Sequence, residues 1–229
     1  LMARLKKALE TERSLAANSA HELRTPIASA IVQLDLLRSA DLSPDAICRV
    51  DTALEKLRGL QTTAVKLLQL SRAESGVAMS MQPVNLSQIL ELFSTELRHR
   101  TEPGYRFMLP LETVWVRGDM DAIGILMQNL LENAGKYASP DTTVEVELRE
   151  TGELTVQNDC EAIPQDKLGT LLRRFVRGEQ ATPGSGIGLA IVSTVAAQCN
   201  IQFELKSPCF ENERGFEASL VFESVSATA

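Results

Sequence analysis

From residue 23 to residue 68, apolar side chains recur in steps of four and three, and this rhythm leaves the chain few ways to fold. Leu23, Ile27, Ala30, Leu34 and Leu37 form a first series. Ile47, Val50, Leu54, Leu57, Gln61, Ala64 and Leu68 form a second, with the polar Gln61 taking one step of it. A stripe so narrow is the seam of a coiled coil or bundle, not the broad apolar face of a surface helix. Between the two, Ser43-Pro44-Asp45 supplies a helix start: a capping hydroxyl, a proline at the first helical position and an acid in the first turn. Residues 1–73 are therefore predicted to form a helical hairpin. Two helices alone cover both stripes poorly, so the hairpin is expected to dimerise into a four-helix bundle.

Ser75-Gly76 ends the hairpin, and residues 74–84 read as a connector. Residues 85–225 then change period. Asn85-Leu86-Ser87-Gln88 resembles a capping box that opens a helix through about Arg98. Strand-like runs follow at Thr113–Val116, Thr143–Arg149, Leu154–Gln157, Ile201–Lys206 and Phe216–Phe222, with helical patterns near 120–137 and 187–199. The expected fold class is thus α plus α/β, a bundle hairpin followed by a two-layer α/β sandwich. A chain of 229 residues is long enough for each part to have its own core.

The net charge of −7 argues against a general nucleic-acid binder, which needs a basic face. No apolar run reaches the ~18 residues of a membrane span, and no signal segment opens the chain. Leu1 falls within a helical pattern, which predicts further chain upstream. Cys48, Cys160, Cys199 and Cys209 lack metal or redox spacing and are read as reduced thiols, with a Cys199–Cys209 disulfide the weaker alternative. Arg98-His99-Arg100 is read as a solvated basic patch at a helix end. Trp115 and Phe107 are expected in the core, and Met79 and Met81 between domains.

Three constellations carry chemistry. The first is His21-Glu22-Leu23-Arg24-Thr25-Pro26. On a helix, residues 21 and 25 share a face, and Glu22 is offset sideways. Glu22 can hydrogen-bond one imidazole nitrogen and leave the other to attack phosphorus, and Thr25 can hold a water. Pro26 removes a backbone donor and bends the helix there. A lone histidine at a kink is ordinarily a solvated residue; the glutamate, threonine and proline beside it favour chemistry.

The second is Asn129-Leu130-Leu131-Glu132-Asn133-Ala134-Gly135-Lys136-Tyr137. Asn129 and Asn133 lie four apart, and Lys136 continues their face. Amide oxygens can complete a magnesium shell that already holds phosphate oxygens and water. Lys136 can neutralise phosphate charge. The bland alternative is a polar helix face with two solvated asparagines. The third is Gly184-Ser185-Gly186-Ile187-Gly188-Leu189, glycines at alternate positions ahead of a helix. Such glycines let backbone amides approach an anion at the helix's positive end. Alone it is weak evidence, and it has neither dinucleotide-binding nor P-loop spacing.

In order along the chain, His21–Pro26, Asn129–Tyr137, Phe175-Val176-Arg177-Gly178 and Gly184–Val192 resemble the H, N, F and second glycine boxes of bacterial two-component sensor histidine kinases. The resemblance spans essentially the whole chain. It implies a dimerisation and histidine-phosphotransfer hairpin, then an ATP-binding domain of the gyrase/chaperone/kinase type. It also implies ATP and Mg2+ as cofactors, autophosphorylation of His21 with Glu22 as base, and transfer to an aspartate of a cognate response regulator. Thr25 matches a position that assists dephosphorylation of that regulator. Asn129 and Asn133 match metal and phosphate positions, Lys136 and Tyr137 lie beside the nucleotide, and Arg177 lies near the phosphates. Gly184, Ser185, Gly186, Gly188 and Leu189 border the flexible lid, roughly residues 165–184.

The family's sensory part usually lies upstream across a membrane. The resemblance therefore implies the cytoplasmic portion of an inner-membrane receptor. One departure concerns the first glycine box, usually Asp-x-Gly-x-Gly. The aligned stretch here is Asn158-Asp159-Cys160-Glu161-Ala162. Either Asn158 accepts from the adenine amino group through its amide oxygen, or Asp159 takes the part after a slip of one residue. A phosphatase-biased or regulatory homologue with weakened ATP binding is the alternative function, and a structural coiled-coil module fused to an ATPase of the same superfamily ranks below it.

Overall fold

Proline at the first helical position and the Ser43 hydroxyl, which accepts from the Ala46 amide at 3.4 Å, start a long helix, α2 (Pro44–Ser75). In this computed structural model, residues 25–40, 42–75, 79–98, 103–176 and 184–226 are described. Residues 25–38 form the helix α1. Arg38 pairs with Asp51 at 2.8 Å and Arg58 with Asp35 at 3.3 Å, so α1 runs antiparallel to α2. Ile27, Val50, Leu54, Ala64 and Leu68 of the two series are buried. Leu37 of the seam stays 45 % exposed, and Val32, Leu36 and Leu60 beside it are more exposed still. One hairpin does leave large apolar side chains in water.

The remaining elements are β1 (Gln82–Asn85), α3 (Leu86–Leu97), β2 (Gly104–Met108), β3 (Trp115–Gly118), α4 (Met120–Tyr137), β4 (Thr143–Leu148), β5 (Glu153–Asn158), α5 (Gln165–Leu168), a single 3-10 turn (Gly169–Leu172), α6 (Gly188–Gln198), β6 (Gln202–Lys206) and β7 (Phe216–Val221). Five strands form a sheet in the order β2-β4-β5-β7-β6, with β2 parallel to β4 and the other pairs antiparallel. Every second residue is buried: Val144, Val146 and Leu148 on β4, and Phe216, Ala218 and Leu220 on β7. This period of two puts one apolar face against helices and leaves charges such as Glu145 and Arg106 on the other. The two-layer α/β sandwich is present.

Two strands lie where the sequence reading placed connector or loop. β1 pairs antiparallel with β3 as a separate ribbon, and β2 forms an edge of the sheet. The Asn85 side chain caps α3 by accepting from the Gln88 amide at 2.9 Å. Trp115 departs from expectation, being only half-buried on the small ribbon, whereas Phe107 packs against the core. Met79 and Met81 also pack against that core, alongside Leu70 and Ala73 from the end of α2. Hairpin and sheet domain therefore share apolar contacts across the connector.

All four cysteines are free thiols, so the Cys199–Cys209 alternative does not hold. Burial pushes the thiols of Cys160 and Cys199 up, and that of Cys209 up to about 11. Their folded-state values lie above those of the unfolded chain. Their protonated forms thus favour folding at neutral pH, and that contribution is lost as pH climbs through the alkaline range.

Candidate functional site

A cavity of about 590 Å³ opens between α4, the end of β5, the α5 region, the start of α6 and one face of α2. Its size falls within the ~300–1,000 Å³ usual for small-molecule sites. Asn129, Asn133, Lys136, Tyr137, Asn158, Gly184, Ser185, Gly186, Gly188 and Leu189 all line it. The three stretches of chain that the sequence singled out for nucleotide chemistry thus converge.

Helix α4 presents the first group. Its N-terminus is fixed by Asp119, whose carboxylate accepts from the Ala122 amide and from the Ser80 amide, each at 2.9 Å. One side of the helix carries Ile123, Leu126, Met127 and Leu130 into the core. Asn129 is 2 % exposed. Its Nδ2 donates to the Ile125 carbonyl at 2.8 Å and reaches Gln69 Oε1 at 3.5 Å, but its Oδ1 is buried with no partner. A buried acceptor left unmet costs about 1–3 kcal/mol, so this atom is suited to a ligand's donor or to a cation. Two turns on, the Lys136 ammonium bonds the Tyr137 hydroxyl at 3.1 Å and lies 4.6 Å from that ring's centroid.

The start of α6 supplies the second group. No side chain caps this helix, so its first amides face the cavity end without a side-chain acceptor. Gly186 has φ +66, and a Cβ there would meet the Val176 carbonyl oxygen at 2.7 Å; only glycine fits. A Cβ at Gly184 would collide with Lys136 Nζ, and one at Gly188 would touch Asn129 Oδ1 at 3.6 Å. The alternating glycines let the α6 turn sit directly against the α4 side chains.

The end of β5 supplies the third. Asn158 is 1 % exposed, and neither atom of its amide has a hydrogen-bond partner. Asp159 does not line the cavity. Its carboxylate is held by Arg214 at 2.8 Å, and Arg214 also bonds the Ser139 hydroxyl at 3.0 Å. Of the two residues considered in the sequence for an adenine contact, Asn158 lines the cavity and Asp159 is committed to an ion pair.

Thr25 is exposed on α1 and does not line the cavity. His21, Glu22 and Arg177 lie outside the described residues. Of the expected lid, residues 165–172 form α5 and the 3-10 turn, and 177–183 lie outside the description. Sequence reading missed Thr62 and Lys66, which reach the cavity from α2. Lys66 pairs with Glu132 of α4 at 2.9 Å, and Glu74 of α2 pairs with Arg174. Nothing local marks these residues, since their part depends on how two distant segments pack. The apolar wall, including Ala162, Ile163, Leu171 and Phe216, was likewise not foreseen.

An α/β domain with such a cavity, preceded by a helical hairpin, is the architecture of a histidine kinase's catalytic portion. Comparison with known proteins agrees. Residues 11–76 match the His Kinase A (phospho-acceptor) domain, and residues 118–224 match the histidine kinase-, DNA gyrase B-, and HSP90-like ATPase family. The sensor protein BasS of Escherichia coli is 32 % identical over 220 residues, covering 90 % of this chain and 58 % of BasS. The signal transduction histidine-protein kinase/phosphatase MprB of Mycolicibacterium smegmatis is 29 % identical over 205 residues, covering 83 % of this chain and 41 % of MprB. The solved structure of a mycobacterial sensor histidine kinase MprB superposes with TM-score 0.55 at 25 % identity, over 63 % of this chain and 97 % of that one. Full-length ShkA in complex with AMPPNP shares the fold, with TM-score 0.67 at 22 % identity over 94 % of this chain and 47 % of that one. The chain belongs to the sensor histidine kinase family, and it spans well under two thirds of the curated relatives it matches.

Proposed function

We propose that the chain is the ATP-dependent autokinase portion of a two-component sensor that also dephosphorylates its partner regulator. The observation that carries this reading is the buried, unpartnered Asn129 Oδ1 beside the glycine-lined start of α6, in one cavity with Asn133 and Lys136. In the reaction, a ring nitrogen of His21 attacks the γ-phosphorus of ATP, the bond to the β-phosphate oxygen breaks, and ADP leaves. Glu22 takes the imidazole proton. Asn129 and Asn133 orient the phosphate chain, Lys136 offsets its charge, and the α6 amides hold its oxygens; positioning and charge dominate in such transfers. Phosphohistidine then passes its phosphoryl group to a regulator aspartate. Thr25, exposed on α1, is available to orient water for the reverse role.

No group of three His, Cys, Asp or Glu able to hold a metal occurs among the described residues. Asn129 Oδ1 and the Asn133 amide nevertheless suit magnesium arriving with the nucleotide, since that ion keeps water and phosphate ligands. When bound, it neutralises phosphate charge. The hairpin acts as a homodimer, which would cover Leu36, Leu37 and Leu60. Among the described residues no helix is long and apolar enough to cross a membrane, and attachment to an inner membrane would come from segments outside this chain.

Incubation with γ-labelled ATP tests the reading. Label that is acid-labile, alkali-stable and absent from His21→Ala is expected; label retained in that variant would overturn it.

The contact of α2 with the cavity gives a second prediction. Gln69 takes a donor from Asn129, and Lys66 and Glu74 clasp α2 to the ATPase domain. Docked in this way, α2 places Thr62 and Lys66 in the cavity wall where phosphates would lie, so it is a resting arrangement, and phosphotransfer requires the connector to hinge. Ion pairs that keep one partner well exposed, as these do, contribute ~0.2–1 kcal/mol each. Lys66→Met with Glu74→Gln should therefore tighten ATP binding about 3- to 10-fold, read by titration calorimetry. Weaker binding would show instead that Lys66 holds the nucleotide.

A further inference from the structure

The polar residue at the apolar end of the cavity is unusual in chemistry as well as in placement. Asn158 ends β5 opposite Phe216 of β7, and both line the cavity with Ala162, Ile163 and Leu171. These apolar groups suit the faces of a planar base, and the buried Asn158 amide is the polar edge beside them. Neither amide atom has a nitrogen or oxygen partner, and among the described residues the only neighbour that bears on it is the weakly bonding Cys160 thiol.

A carboxylate at this place presents acceptors only. It takes a hydrogen bond from the 6-amino group of adenine and repels the 6-oxo group of hypoxanthine or guanine. A primary amide presents both an acceptor and a donor. With one orientation, Oδ1 accepts from the 6-amino group while Nδ2 donates to N1 of adenine. Turned by half a rotation, Nδ2 donates to a 6-oxo group while Oδ1 accepts from the N1–H of a 6-oxopurine. Neighbouring hydrogen bonds ordinarily decide which way an asparagine amide points. Here the neighbour is the Cys160 thiol, a weak donor and a weak acceptor that suits either orientation, so the incoming base can set it.

The nearby carboxylates do not restore an adenine preference. Asp159 is committed to Arg214 and stands outside the cavity wall. Glu132 is bonded to Lys66 and Gln128, and Glu161 is exposed and keeps its hydration.

We propose that Asn158 makes this site tolerant of the purine 6-substituent, so that it binds 6-oxopurine nucleoside triphosphates as well as ATP. The inference rests on the nucleotide-binding reading above. Titration calorimetry of the purified chain with ATP and with ITP, each with magnesium, tests it. ITP carries the 6-oxo edge without the extra 2-amino group of guanine, so pocket size does not enter. The expected Kd for ITP is within tenfold of that for ATP, and Asn158→Asp should widen the ratio beyond tenfold by loss of ITP binding. A wild-type preference for ATP above tenfold overturns the inference and leaves the kinase reading intact. Failure of the wild-type chain to bind either nucleotide overturns both.

Discussion

An Asn129→Ala chain is expected to fold normally yet to label His21 at least about 100-fold more slowly than the unaltered chain. Removal of a preorganised polar group aimed at a reacting phosphate commonly costs about 2.7–4 kcal/mol in the transition state. Stability should move the other way or not at all. Asn129 Oδ1 is buried without a partner, so its removal relieves a desolvation penalty. Its Nδ2 donates to the Ile125 carbonyl, already in the helical ladder, and at 3.5 Å to Gln69 Oε1, which is half-buried beside an open pocket and can take water instead, so alanine strands no buried acceptor. Thermal melts should thus be unchanged or slightly raised while labelling and ATP affinity fall. A lowered melting temperature with proportionate loss of activity would mean that Asn129 serves the fold instead.

Such a residue was legible from sequence because its chemistry is local. Asn129, Asn133 and Lys136 are ordered by helix periodicity alone, and α4 spans Met120–Tyr137 as its pattern predicts. The hairpin seam and the Asn85 and Ser43 caps were readable for the same reason. What failed was what depends on partners. β1 contains Pro83, which reads as connector, yet it pairs with β3 on a two-stranded ribbon where a proline is tolerated. β2 follows Pro103 and starts at Gly104, a turn signature, but the edge of the sheet recruits it parallel to β4. Trp115 looked like core by size and sits half-buried on that small ribbon. Lys66 and Glu74 are ordinary charges on a helix until the docking of α2 brings them to Glu132 and Arg174. Of Asn158 and Asp159, only Asn158 lines the cavity, because Arg214, 55 residues beyond Asp159, holds the Asp159 carboxylate.

The same helix provides the second large effect, because α4 carries the site on one face and the core on another. Leu130 is 1 % exposed, one residue from Asn129, on a helix that packs against α6 and β5. Leu130→Ala deletes buried atoms and leaves a cavity between rigid elements, at a cost of about 3 kcal/mol. For a domain of this size the melting temperature should fall by roughly 10 °C. Labelling of His21 at low temperature should stay within about threefold of the unaltered chain, because a chain with several kcal/mol of stability remains mostly folded. Asn133→Ala should do the opposite, since this half-buried amide faces the cavity rather than the core. Its melt should hold within about 2 °C, as expected for sites outside the core, while labelling falls by two orders of magnitude or more. Parallel melts and labelling time courses decide the matter. If both variants lost stability and activity together, α4 would not separate its two duties by face. The glycine-lined approach of α6 would then be a packing device before it is a phosphate cradle.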